Sequence, residues 1–380
     1  MAKVHITLVG GQPPPVYIGI DDSKPDSIIY ICSDTSKKEA ERMKSEFFSL
    51  VPSEIIEAHP VDFNEIFLLA EELVEKFDAD ELIVNVTSGT KPWSLIFFKV
   101  FSRHPNCNII FIDQNNYVWS FSGKKKYMVE FNMDIHLKLY GNCIENNYKE
   151  FSAFTEEDKE IAAEIENIRR SNYKDFNSLT ILSTTQSNIL HNYNLGIFRG
   201  DSSFPYIEWE KPKNKNQDGS VLMVMYSRNG EKEYELKSPH VVDLVFNSGW
   251  FELKIAIILS KWKKSKEIRM NCRFPFRQGI DKNEVDIIIN TGNKLLFVEC
   301  KTQISQPTDI DKFHSVVKGY GGMGSKALFV TDATMNDMAK NKCNEYDILT
   351  FSLKDKDNRP VDLNLLYDML DAEILKINKR

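Results

Sequence analysis

Apolar residues fall into two alternating patterns along this chain, separated by a less regular stretch. In the first pattern, short apolar runs at Val4–Val9, Ser27–Cys32, Glu54–Ala58, Glu81–Val86 and Asn108–Ile112 have the length of strands. Between them, Ser36–Leu50, Phe63–Phe77 and Thr90–Arg103 repeat apolar positions at helical spacing, and Tyr117–Phe121 reads as an antiparallel edge strand. Strands separated by helices predict a parallel sheet, because each crossover must carry the chain back along it.

A second alternation starts near Ser238. It predicts a helix over Trp250–Lys264, strands at Arg269–Phe274, Glu284–Asn290 and Leu295–Thr302, and a helix over Ile310–Lys318. A strand at Ala327–Thr331, a helix over Met335–Glu345, a strand at Ile348–Ser352 and a last helix over Leu363–Ile377 follow. In the stretch between the two patterns, Glu156–Arg170 reads as a charged helix. Val221–Tyr226 and Lys232–Leu236 read as a hairpin through Arg228-Asn229-Gly230, where Asn-Gly predicts a type I′ turn. The expected organisation is an α/β domain over 1–126, a connector with a β-hairpin over 127–238, and a second α/β domain over 239–380.

A chain of 380 residues is too long for one ordinary core, which agrees with two domains. The net charge of −7 argues against general adhesion to nucleic acid. Residues 254–277 depart from that balance: Lys254, Lys261, Lys263, Lys264, Lys266, Arg269, Arg273 and Arg277 stand against Glu267 alone. Such a run is either a solvated helix face or a phosphate contact. The six cysteines form no C-x-x-C pair and read as reduced residues of a cytoplasmic protein. Met1–Gly11 reads as a strand, not a signal peptide, and no stretch approaches the ~20 apolar residues of a membrane span.

The sharpest chemistry lies in Val285-Asp286 and, past the turn Thr291-Gly292-Asn293, in Glu299-Cys300-Lys301. Strand side chains alternate faces, so Glu299 and Lys301 share a face that Cys300 does not. Two carboxylates and a lysine on one sheet face predict a divalent metal, Mn2+ or Mg2+, and phosphodiester cleavage. Asp286 and Glu299 would hold the metal with the backbone carbonyl of Cys300, Lys301 would stabilise the developing charge, and Glu252 on the preceding helix would complete the set. A salt-bridged Glu-x-Lys pair at a sheet edge is the plainer reading of the motif alone. The apolar flank Leu295-Leu296-Phe297-Val298 favours a buried strand instead.

Residues 240–350 resemble the restriction-endonuclease-like, or PD-(D/E)xK, nuclease superfamily. Asp286 matches the motif aspartate, Glu299 and Lys301 its E-x-K, and Glu252 the acidic residue of the first helix; Val285 departs from the name-giving proline. Gly319-Tyr320-Gly321-Gly322-Met323-Gly324 reads as a helix cap and turn, or as mobile backbone near a substrate.

In an open parallel sheet ligands bind at the carboxyl ends of the strands. The residues there are Gly10, Gly11, Gln12 and Pro13; Ser33, Asp34 and Thr35; Thr87, Ser88, Gly89, Thr90 and Lys91; and Asp113 with Gln114 and Asn115. Thr87–Lys91 exposes backbone N–H groups at a helix start with Pro92 in the first turn, which fits a phosphate; N-capping by Thr90 explains it equally. G-x-x-x-x-G-K is missing, which disfavours ATP hydrolysis.

Val84–Lys91 resembles the fourth-strand motif of CARF domains, the Rossmann-like CRISPR-associated sensors of cyclic oligoadenylates. Joined to an E-x-K nuclease, the chain is similar to the CRISPR ancillary nucleases of type III systems. That resemblance implies a homodimer activated by cyclic tetra-adenylate, cutting single-stranded RNA or DNA or nicking duplex DNA. No Arg-x4–6-His motif of HEPN ribonucleases occurs in the C-terminal half. Two other readings stay open: a nucleotide-sensing regulator with an inactive nuclease-like domain and the 221–236 hairpin as a DNA-binding wing, and a ring nuclease that degrades its activator.

Overall fold

The computed structural model describes residues 1–121, 126–174, 176, 195–199, 206–210, 219–246, 248–278, 283–302, 307–322 and 324–374. They divide into two compact units. The first comprises Met1–Cys143 with Asn290–Leu295 and Lys318–Ser325; the second comprises Ile144–Ile289, Leu296–Val317 and Lys326–Arg380.

The first unit is built on a seven-stranded sheet. Its strands are β1 (Lys3–Leu8), β2 (Ser27–Cys32), β3 (Ser53–Glu57), β4 (Glu81–Asn85), β5 (Cys107–Ile112), β6 (Tyr117–Ser120) and β7 (Lys126–Met128). They lie in the order β3-β2-β1-β4-β5-β6-β7. The pairs among β1 to β5 are all parallel. Strand order reverses between β1 and β4, the point in an open parallel sheet at whose carboxyl end ligands bind. Successive side chains feed two cores: Val4, Ile6 and Leu8 meet Trp93 and Phe97, while Ile28, Tyr30 and Cys32 meet Val16 and Ile20.

Three details differ from the sequence reading. Helix Pro13–Ser23 connects β1 to β2, a stretch to which the sequence pattern assigned no element. Its three leading prolines look like a helix breaker, yet first-turn N–H groups have no intrahelical acceptor to lose. The helix expected over Ser36–Leu50 resolves into a 3-10 turn (Asp34–Ser36), an α-helix (Lys37–Arg42) and a π turn (Met43–Phe47). β6 does pair antiparallel with β5, but β7 covers its other side, so β6 is not the edge.

The second unit carries two sheets. Strands β8 (Lys149–Glu150), β13 (Glu267–Arg273), β14 (Glu284–Asn290), β15 (Leu295–Lys301), β16 (Lys326–Thr331) and β17 (Ile348–Ser352) form one, in the order β17-β16-β15-β14-β13-β8. The four-residue connection between neighbours β14 and β15 forces an antiparallel hairpin. β15, β16 and β17 run parallel. The other sheet is an antiparallel meander of β9 (Leu195–Arg199), β10 (Tyr206–Glu210), β11 (Val221–Tyr226) and β12 (Lys232–Ser238).

Helix Gly249–Ser260 ends short of the expected Lys264 and buries Trp250, Phe251, Leu253, Ile255, Ala256, Ile258 and Leu259. One core gathers these with Ile287, Ile289 and Val298 of the six-stranded sheet and Trp209, Met223 and Leu236 of the meander. A helix apolar on nearly every side is stable only when covered on several faces. Each large side chain so buried contributes about 1.5–3 kcal/mol.

The β11–β12 turn is not type I′. Gly230 alone takes a left-handed φ, +77°, and its N–H donates to the Ser227 carbonyl at 2.9 Å. The strand register shifts between Met225 and Tyr226. A type I′ turn needs two left-handed residues; here one glycine serves a turn closed by a bulge. Among the described residues, no helix is long and apolar enough to cross a membrane.

Candidate functional site

Val285, Ile287 and Ile289 of β14 and Leu296, Val298 and Cys300 of β15 are buried. Ile287, Ile289, Leu296, Val298 and Cys300 enter the core against helix Gly249–Ser260. Strand alternation therefore turns Asp286, Glu299 and Lys301 to the opposite face. Asp286 is 9% exposed and Glu299 1%. Asp286 Oδ2 accepts the Cys300 backbone N–H at 2.7 Å, and Lys301 Nζ lies 2.8 Å from Glu299 Oε1. Buried carboxylates are tolerated only with such partners.

Electrostatics tie Glu252 to the same group. Burial pushes its carboxyl well above the usual range, the Asp286 charge pushes it further, and Lys301 opposes both. Burial pulls the Lys301 ammonium down, but Asp286 and Glu299 outweigh it and hold the group well above its ordinary value. Lys301 is therefore charged at neutral pH. The Cys300 thiol is pushed up by burial and by Asp286, so it stays protonated and is no nucleophile.

Three carboxylates against one ammonium suit a hard divalent cation. Among the described residues no three His, Cys, Asp or Glu side chains gather closely enough to cage a metal by themselves. Asp286 and Glu299 with a backbone carbonyl and water are the donor set that fits, the pattern of a cation that keeps much of its hydration.

The basic run does not form one face. Lys254 pairs with Glu166 at 2.7 Å, buried Arg269 with Glu267 at 2.7 Å, and Arg273 with Glu284 at 3.3 Å. These three cations are engaged inside the second unit. Of the glycine-rich segment, Gly319 and Tyr320 end helix Thr308–Tyr320 and Gly322 turns the chain with φ +70°. Met323 lies outside the described residues.

At the carboxyl ends of the first sheet, the β1 and β4 loops touch. A Cβ on Gly10 would lie 2.7 Å from the Gly89 nitrogen. Gly89 has φ +80°, and a Cβ there would lie 2.6 Å from the Trp93 ring. Many of the expected ligand groups are occupied by the fold. Thr87 Oγ1 donates to Asn85 Oδ1 at 2.7 Å and accepts the Ile112 N–H at 2.7 Å. Thr90 Oγ1 donates to the Pro60 carbonyl and caps helix Lys91–Phe101.

Ser33 Oγ meets Thr35 Oγ1 at 2.9 Å, Asp34 Oδ1 accepts the Thr35 N–H, and Ser88 Oγ donates to the Gln12 carbonyl. Asp113 accepts the N–H groups of Asn115 and Tyr117 and the indole N–H of Trp119. Exposed groups at this end include Gly11, Gln12, Asp34, Gly89 and the Lys91 ammonium at a helix start. Pro13 is buried in the first turn of its helix.

Gln12, Thr87 and Asp113 line a cavity of about 300 Å³. It also takes in Asn293 of the expected hairpin turn and Gly324 of the glycine-rich segment, with His136, Tyr140 and Lys294, which the sequence did not single out. His136 and Tyr140 lie in the stretch of weak periodicity, and no local signal marks them or Lys294.

The chain thus combines a parallel sheet with its reversal point at these loops and a separate sheet bearing an acid-acid-lysine face. Residues 4–140 match the family model of the Card1 CARF domain. No curated protein matches the chain. The whole chain shares the fold of Can2 from Sulfobacillus thermosulfidooxidans, solved with cyclic tetra-adenylate (TM-score 0.66, 20% identity, 98% of this chain and 99% of that one). It also shares the fold of protein VC1899 from Vibrio cholerae (TM-score 0.67, 15% identity, 98% and 96%). A type III CRISPR defence DNA nuclease activated by cyclic oligoadenylate is similar over 92% of this chain and 50% of its own length, with TM-score 0.52 and 15% identity.

Proposed function

We propose that this chain is a metal-dependent nuclease of type III CRISPR defence, switched on by cyclic tetra-adenylate at its CARF domain. The observation that carries the reading is the pair of buried carboxylates Asp286 and Glu299 beside half-buried Lys301, in the same chain as a segment that matches the Card1 CARF domain. Asp286 and Glu299, with the Cys300 carbonyl, would hold Mn2+ or Mg2+. The bound metal would polarise the scissile phosphate and lower the pKa of a water. Lys301, charged at neutral pH, donates hydrogen bonds to the phosphate oxygens and favours the extra negative charge of the transition state. Glu252, whose carboxyl holds a proton more readily than an ordinary glutamate, faces the same charges from the helix side.

The activator would seat on the exposed Gly11, Gln12 and Asp34, the Gly89 backbone and Lys91, with a two-fold ring matched by a two-fold dimer. Leu95 and Phe98 of helix Lys91–Phe101 are exposed, and Phe98 packs edge-on against exposed Phe121. This apolar surface is what a second copy would cover. Coupling requires that the ring bind the cutting conformation more tightly than the resting one.

The test is cleavage of labelled single-stranded RNA, single-stranded DNA and supercoiled duplex with Mn2+ or Mg2+, with and without cyclic tetra-adenylate. Cleavage that depends on both metal and ring is the expected outcome. No cleavage of any substrate under every combination rejects the reading.

A further inference from the structure

Asp332 directly follows β16 and is 4% exposed, so its carboxylate sits inside the second unit. Three cations from three other parts of that unit converge on it. Lys354, just past β17, donates to Oδ2 at 3.1 Å. Arg169 of helix Glu156–Ser171 stands 3.5 Å from the same oxygen, and Lys254 of helix Gly249–Ser260 stands 3.9 Å from Oδ1. Arg169 is itself buried, and Glu166 on the same helix takes Lys254 at 2.7 Å. Apolar side chains of similar size would fill this space with less desolvation, so a network of this kind is retained for the arrangement it fixes.

What it joins are two elements of the acid-acid-lysine site. The Asp332 N–H donates to the Lys301 carbonyl at 3.3 Å, which ties the residue to the end of β15 through its backbone. Its partners grip the helix of Glu252. Arg169 lies over the Trp250 ring at 5.3 Å, while Asp332 and Glu166 hold Lys254. Trp250 and Lys254 are four positions apart and share one side of the helix; Glu252, two from each, is turned off that side. A turn held at Trp250 and Lys254 leaves Glu252 among the charges of Asp286 and Lys301, which act on its carboxyl.

We propose that Asp332 is a positioning residue of the nuclease site, holding the strand end that carries Lys301 by its backbone and the helix that carries Glu252 through Lys254 and Arg169. The proposal rests on the nuclease reading above and adds a residue that touches neither metal nor substrate. Removing the Asp332 charge leaves three cations around an uncompensated site, and the helix and strand lose their common anchor. Lys301 and Glu252 then drift relative to Asp286 and Glu299, and displacements of this kind are read in the chemical step.

The experiment is steady-state cleavage of labelled single-stranded RNA, single-stranded DNA and supercoiled duplex, with Mn2+ and cyclic tetra-adenylate, by the wild type, Asp332→Asn, Lys354→Met and Lys354→Arg. Asp332→Asn keeps the shape and removes the charge. Should it fail to melt cooperatively, the two variants of half-buried Lys354 carry the test. The expected result is a kcat lowered roughly 10-fold or more in Asp332→Asn and lowered in Lys354→Met, with KM unchanged and recovery in Lys354→Arg. A loss that vanishes once rates are normalised to the folded fraction, read by circular dichroism, shows a structural role and overturns the proposal. So does a raised KM at unchanged kcat, which would make the network a substrate contact. A kcat within about twofold of wild type in every folded variant also overturns it and leaves the nuclease reading standing. A wild type that cuts none of the three substrates rejects both.

Discussion

The Cys300 backbone N–H donates to Asp286 Oδ2 at 2.7 Å, so β15 spends a main-chain donor on a carboxylate of β14. That bond fixes Asp286 beside the residue lying between Glu299 and Lys301. The expected consequence is that Asp286→Ala and Glu299→Gln each lower metal-dependent cleavage by about 100-fold or more, a range typical of losing one charge-stabilising group. Circular dichroism should show both variants folded; wild-type rates in either would remove the proposed site.

Lys301 is held in its charged form by Asp286 and Glu299 against the effect of burial. Lys301→Met should lose cleavage on a similar scale, and Lys301→Arg should recover part of it. Because the folded pKa is raised, the wild-type rate should show no alkaline decline from this lysine between pH 7 and about 10. A pH–rate profile that falls in that range in wild type and is flat in Lys301→Arg would contradict this.

Gly89 combines a left-handed φ of +80° with a Cβ direction blocked at 2.6 Å by Trp93. Gly89→Ala should destabilise the protein by about 1–2 kcal/mol from the backbone alone, and further from displacement of Trp93. Thermal unfolding should show a lower melting temperature, and ring affinity should fall with it, since the same loop carries Thr90 and Lys91. An unchanged melting temperature counts against the geometry.

Asp158 is fully buried and accepts the N–H and ring Nδ1 of His240 at 3.0 and 2.8 Å. Burial pushes its carboxyl up, but His240, Thr155 and Ser238 outweigh that and bring it down to about 2. The folded pKa lies below the unfolded one, so the group stabilises the fold above about pH 4 and loses that stabilisation as pH falls towards 2. The contribution at neutral pH is about 2 kcal/mol. Asp158→Asn should cost that much at pH 7 and flatten the acid limb of denaturant stability. A variant with the wild-type acid limb would show that the pair contributes nothing.

Leu95 is 67% exposed and Phe121 58%, an apolar surface on the first unit. Leu95→Asp should convert a dimer to a monomer at micromolar concentration, read by light scattering. A wild type that is monomeric at every concentration would set this surface apart from self-association.

Much of the site was legible locally. Glu284–Asn290 is both the expected and the observed strand, and the two-residue period of β15 alone places Glu299 and Lys301 on one face. The Thr87–Lys91 segment announces a strand-to-helix turn by its own residues, with Thr90 capping and Pro92 in the first turn. Helix Pro13–Ser23 stayed hidden because three prolines oppose propensity everywhere except in a first turn. The Lys254–Glu166 ion pair was equally hidden, since the two residues lie 88 positions apart.

Sequence periodicity by itself determined the parallel sheet of the first unit, the β14–β15 hairpin and the face on which Asp286, Glu299 and Lys301 stand. These follow from steric rules that act over a few residues. Only tertiary structure decided that Thr87, Thr90 and Asp113 spend their polar groups on the fold. Tertiary structure alone also brought His136 and Lys294, 158 positions apart in sequence, to one cavity. Contacts at that separation are set by how whole elements pack, and packing leaves no period in the chain for a local reading to find.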